Sequence, residues 1–203
     1  MKTKLNSGRW TGTHGLQFLG AVLTAIGLAM AVPAQALPLN LVVNGGFETG
    51  DFTGWTQVGN TGFSGVQCPG PSATVAEGNC SAFFGPIGSS GGIAQSISGL
   101  HVGQLYLLTF AFLPDGGSPS SFSVLFGGTT LLSLTNPAAS PYHTFSFALL
   151  ATAASETLQF NFRDDPGFLL LDAVRLSVPE PASVGLLGIA LIAMFMGLRR
   201  KVQ

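Results

Sequence analysis

Asp172 is the acid with the clearest reason to do something. It falls in the segment Leu169–Val178, where Leu170, Val174, Leu176 and Val178 recur at every second residue, and Asp172 shares their phase. A carboxylate on an apolar face is costly unless a metal, backbone N–H groups or a cation compensates it. Glu48 is a second acid, held in the glycine-rich run Asn44-Gly45-Gly46-Phe47-Glu48. Trp55 offers a flat face suited to the C–H face of a sugar ring, or a plug for one end of a core. Tyr142, beside Pro141, is another candidate for stacking on a sugar. Asp164-Asp165-Pro166-Gly167 has the composition of a turn. For catalysis the inventory is thin. His101 and His143 stand in unrelated contexts; Gly88-Ser89-Ser90-Gly91-Gly92 has the Gly-x-Ser-x-Gly spacing but no helical pattern follows it to make a nucleophile elbow, and the chain has no His-Glu-x-x-His, phosphate loop or Cys-x-x-Cys. Two carboxylates could in principle hydrolyse a glycoside, but the only pair with a reason to meet is Glu48 and Asp172.

The elements that must position these residues read as strands. Short apolar and aromatic runs alternate with Gly, Pro, Asn and Ser clusters, the spacing of an all-β antiparallel sandwich. Candidate strands are 39–43, 56–58, 81–84, 93–98, 104–113, 121–126, 130–134, 143–150, 157–163 and 169–178. Phe122, Val124 and Phe126 alternate with polar residues, as do Phe145, Phe147 and Leu149, and Leu158, Phe160 and Phe162. That period of two marks half-buried strands. The run 104–113 is apolar on both faces and is expected in the centre of a sheet. Gly127-Gly128 between two strands predicts a tight hairpin. No useful 3.6-residue pattern or internal repeat interrupts 37–178.

Within 37–178 there are two arginines, no lysine and eight acids, a formal charge of −6 that the whole-chain value of −1 conceals. A surface for nucleic acid needs cations, so that class of partner is excluded. Cys68 and Cys80 are the only cysteines. In an oxidising compartment they are expected to pair, which is worth about 3 kcal/mol for a loop of that length.

Asn44-Gly45-Gly46-Phe47-Glu48-Thr49-Gly50 with Phe52 and Trp55, and Leu171-Asp172-Ala173-Val174-Arg175-Leu176 near the other end, resemble the opening and closing segments of jelly-roll modules of the carbohydrate-binding type. The resemblance implies a jelly-roll-like sandwich in which the two ends lie close together. It also implies a structural calcium held by Glu48, Asp172 and turn carbonyls, because calcium takes six to eight oxygens. Many such modules carry a second acid after the Asp; here that residue is Ala173. The alternative is that both acids are hydrogen-bonded locally and fix the turn.

Both ends of the chain read as addresses. Lys2, Lys4 and Arg9 precede an apolar run over 16–32, and Ala34-Gln35-Ala36 has the small-x-small form of a signal-peptidase site. At the other end come Pro179-Glu180-Pro181, an uncharged apolar stretch over 182–198, then Arg199-Arg200-Lys201. That stretch would span about 25 Å as a helix and favours a cytoplasmic C-terminus. This three-part tail resembles the PEP-CTERM sorting signal. The resemblance implies export, anchoring in the inner membrane, recognition of Pro179–Pro181 by an exosortase-type protease, and an envelope or extracellular setting associated with polysaccharide. The expectation is a signal peptide over 1–36, a β-sandwich over 37–178 and a sorting tail over 179–203. Such a protein would act by binding or as a matrix component, with a carbohydrate-binding module as the alternative and a glycan-active enzyme third.

Overall fold

The computed structural model describes residues 39–69 and 74–179. Ala34 and Ala36, Glu180 and Pro181, the apolar stretch 182–198, and Arg199 and Arg200 lie outside the described residues. Among the described residues no helix is long and apolar enough to cross a membrane.

Among the described residues ten strands form two antiparallel sheets. They are β1 Thr56–Gly59, β2 Ser64–Gln67, β3 Ser81–Phe84, β4 Gly91–Ser98, β5 Leu105–Leu113, β6 Ser120–Phe126, β7 Thr129–Thr135, β8 His143–Leu150, β9 Ser155–Asp164 and β10 Leu169–Ser177. One sheet has the order β1-β4-β9-β6-β7 and the other β2-β3-β10-β5-β8. Alternation does the sorting. On β9, Leu158, Phe160 and Phe162 enter the core, while Gln159, Asn161 and Arg163 line the outer face. Aromatic rings join the two layers: Phe84 of β3 stacks on Phe162 of β9 at 3.8 Å, and Phe112 of β5 on Phe122 of β6 at 4.0 Å. Gly127 and Gly128 both have positive φ, the backbone that a two-residue hairpin between β6 and β7 demands.

Four expectations need correction. The segment 39–43 is not a strand, because the chain bends into turns at Val42–Gly46. Side chains replace the missing ladder. Asn40 Oδ1 accepts the N–H groups of Val42 and Leu176, and Gln95 makes paired bonds with the backbone of Val43 at 2.8 and 2.9 Å. Ser64–Gln67 is a strand that its weak alternation concealed; pairing with β3 creates it. β5 is interior, flanked by β10 and β8, but β10 holds the middle of the sheet. The fourth correction concerns Asp172. A one-residue bulge sets Asp172 opposite Ala111 but Arg175 opposite Thr109, with Ala173 at φ 52°. The core residues therefore switch from Leu169 and Leu171 to Val174 and Leu176. Asp172 shares a phase with Leu170 on the outer side of the sheet, and is buried there by a covering loop rather than by the core.

Candidate functional site

That covering loop begins with the disulfide. Cys68 and Cys80 are bonded, with Cα atoms 4.2 Å apart, joining the end of β2 to the start of β3. The loop's backbone amides point at the two acids. Asp172 Oδ2 accepts N–H from Ala76 at 2.8 Å and Glu77 at 3.0 Å, and Oδ1 accepts from Ala173 at 2.6 Å. Glu48 Oε1 accepts N–H from Asn79 at 2.8 Å and Cys80 at 3.0 Å. Arg175 and Glu77 form an ion pair at the rim. Burial pushes the Asp172 carboxyl above its ordinary range, and its three N–H partners oppose that shift. Glu48 and Asp172 do flank one another across Gly46. Their surroundings are amide donors, however, and inward-pointing N–H dipoles repel a cation. Among the described residues no group of three or more His, Cys, Asp or Glu gathers there or elsewhere. As placed, Glu48 through Oε1 and Asp172 through Oδ2 have the geometry of acids anchoring a loop, the local role that was the alternative to calcium.

Trp55 is also not a platform. It is 7% exposed, stacks on Phe47 at 6.0 Å and meets Phe160 edge-on, while Nε1 donates to the carbonyl of Asn44. A ring held on both sides and at its polar atom closes the core, the other role open to it from its position in the sequence.

Tyr142 belongs to a surface that sequence reasoning missed. Across the outer face of the second sheet, Gly65, Phe83, Leu170 and Leu113 lie side by side in register. Tyr142 immediately precedes His143, which pairs with Phe112, so it adjoins the Leu113 end of that row. A cleft of about 370 Å³ opens here, lined by Gln67, Thr74, Phe83, Phe168 and Leu170. Phe83 and Phe168 meet edge to face at 5.4 Å. Phe168 is 44% exposed, an unusual position for a large aromatic ring. A Cβ on Gly65 would come within 2.7 Å of the Phe83 ring, so glycine is what lets that ring lie across the neighbouring strand. Polar groups fix the rim. The carbonyl of Thr74 accepts from Gln67 Nε2, Ser81 Oγ and Tyr142 Oη, and Gln67 Nε2 also donates to Ser81. Burial pushes the Tyr142 phenol up to about 12, so it remains a neutral donor. The missed signal was Phe83-Phe84. Adjacent residues of a strand face opposite ways, so one ring of such a pair has to stand outside the core.

Comparison with known proteins bears on the fold and the tail. The PEP-CTERM protein-sorting motif matches residues 177–201. No curated protein sequence matches the chain. Among solved structures, the chain resembles TmCBM61 in complex with β-1,4-galactotriose at 17% identity, covering 70% of this chain and 99% of that one with a TM-score of 0.59. It also resembles the enzymatically active domain of tailspike protein 4 of bacteriophage CBA120 at 16% identity, covering 69% of this chain and 21% of that one with a TM-score of 0.53. The chain thus carries a PEP-CTERM sorting motif behind an all-β domain with the two-sheet fold of jelly-roll carbohydrate-binding modules.

Proposed function

We propose that this is an exported protein that binds polysaccharide at the Phe83–Phe168 cleft, after anchoring through its tail and processing by an exosortase-type protease. One observation carries the reading. An aromatic cleft bordered by hydroxyl and amide groups lies on a sheet face, in a protein whose fold is that of carbohydrate-binding modules. Concave sites lined by aromatic residues, with a few fixed polar groups, are the usual form of a specific ligand site. Sugar C–H faces would rest on Phe83 and Phe168, and hydroxyls would reach Gln67 and Tyr142 at the rim, which the buried Ser81 braces from beneath. The sorting motif supports delivery to the envelope, where extracellular polysaccharide is found.

Binding rather than turnover is the activity proposed. Loop amides hold Glu48 through Oε1 and Asp172 through Oδ2, which fixes both acids as loop anchors, and a hydrolase needs an acid free to give or take a proton at the scissile bond.

The exported protein is titrated against a polysaccharide panel that includes β-1,4-galactan. Saturable binding to at least one polymer is expected, weakened tenfold or more by Phe168→Ala or Tyr142→Ala, with the melting midpoint of Phe168→Ala within a few degrees of wild type. Tenfold is about 1.4 kcal/mol, a reasonable loss for one stacking ring. Binding unaffected by either substitution refutes the cleft. No binding to any polymer favours the matrix component without a small ligand.

A further inference from the structure

Away from the cleft and from the Glu48–Asp172 loop, Asp164 ends β9 in a position no other acid shares. Its residue exposure is 0%, and neither Oδ1 nor Oδ2 has a hydrogen-bond partner. A dry carboxylate without partners costs several kcal/mol, and native proteins rarely leave one unexplained. The carboxylate of Asp115, from the β5–β6 loop, faces it. Asp115 uses one oxygen for the N–H of Gly117 at 2.8 Å and the other for the N–H of Phe168 at 3.0 Å, which holds it in place and leaves further lone pairs.

Two glycines shape the space between the acids. A Cβ on Gly117 would overlap Asp164 Oδ1 and lie 2.9 Å from the Pro166 carbonyl and 3.1 Å from Asp115 Oδ1. A Cβ on Gly167 would overlap Asp115 Oδ2 and lie 2.9 Å from Asp164 Oδ2. Five oxygens thus converge where side chains are missing. The nearest cation is already committed, since Arg163 is spent on Asp165 through Nε at 2.9 Å and Nη2 at 2.6 Å.

We infer that Asp164, Asp115 and the carbonyl of Pro166 form a calcium site pinning the β5–β6 loop to the β9–β10 loop. The donors are all oxygens, with two carboxylates and a carbonyl, which is the chemistry of a hard divalent cation. Asp164 brings both oxygens with no competing N–H, in contrast to Glu48 and Asp172. Water reaches the site from the exposed Asp115 side and completes the coordination. The cation would hold the base of Phe168, whose N–H is bound by Asp115, and so links the site to one wall of the cleft.

The test uses the exported, chelator-treated protein at pH 7.5 with calcium chloride as the only added ligand. Isothermal titration should find one calcium per chain, and the melting midpoint should rise by about 5 °C at saturating calcium. Asp164→Asn keeps the shape and should abolish both responses. Gly117→Ala, whose methyl group would displace Asp164 Oδ1 while leaving both carboxylates in the chain, should do the same, while Glu48→Gln should retain both. A wild-type midpoint indifferent to calcium overturns the site. So does a calcium response that survives Asp164→Asn, or one lost in Glu48→Gln alone. An Asp164→Asn protein that is more stable than wild type under every calcium concentration would show instead that the two acids share a proton.

Discussion

Removing the Cys68–Cys80 disulfide should damage more than its own loop. Cross-linking residues twelve apart removes about 3 kcal/mol of unfolded-chain entropy. The same loop presents the N–H groups of Ala76 and Glu77 to Asp172, and those of Asn79 and Cys80 to Glu48. Loss of the charge-assisted bonds in Asp172→Asn is expected to cost about 2 kcal/mol, given that burial already penalises the ionised carboxylate. If the two devices acted separately, the combined variant would lose about 5 kcal/mol. They do not act separately, because the amides are useful to Asp172 only while the loop is ordered. Cys68→Ala/Cys80→Ala with Asp172→Asn should therefore lose at least 1 kcal/mol less than the sum. Urea unfolding measures this, with fluorescence as the probe; Trp55 is the only tryptophan between residues 39 and 179 and is 7% exposed. Strict additivity would show that Asp172 and the disulfide stabilise different things. An unchanged urea midpoint on reduction would refute the account of the loop altogether.

Tyr142 should titrate late: ultraviolet absorbance of the folded protein should show a tyrosinate step near 12 that is missing in Tyr142→Phe. A folded-state value raised above the unfolded one near 10 means that the phenol's contribution is complete below pH 10 and is lost as pH rises through 12; a wild-type titration finished by pH 10 contradicts this. Trp55→Ala should destabilise the fold by about 3–5 kcal/mol, measured by circular dichroism melts, because it empties the space between Phe47 and Phe160. A loss under 1 kcal/mol would return Trp55 to the surface.

The sequence by itself determined the layers and the address. Strict alternation in 121–126, 143–150 and 157–163 dictates one buried face per strand, since a pleated chain turns successive side chains to opposite sides. The Pro-Glu-Pro, apolar and basic tail is a contiguous signal and is legible without any fold. Cys68 and Cys80 were the only candidates for a bond, and they pair. What depended on long-range register stayed hidden. The bulge at Ala173 reverses the face of Asp172, and no local pattern announces a positive φ at an alanine. Phe83 and Phe168 lie 85 positions apart and become a cleft only when β3 pairs with β10. Asp115 and Asp164 look like ordinary turn acids until two loops fold against each other and shut the water out from one of them. Periodicity tells each residue which side of its own strand it occupies; only tertiary pairing decides which residues become neighbours and which charges are left dry.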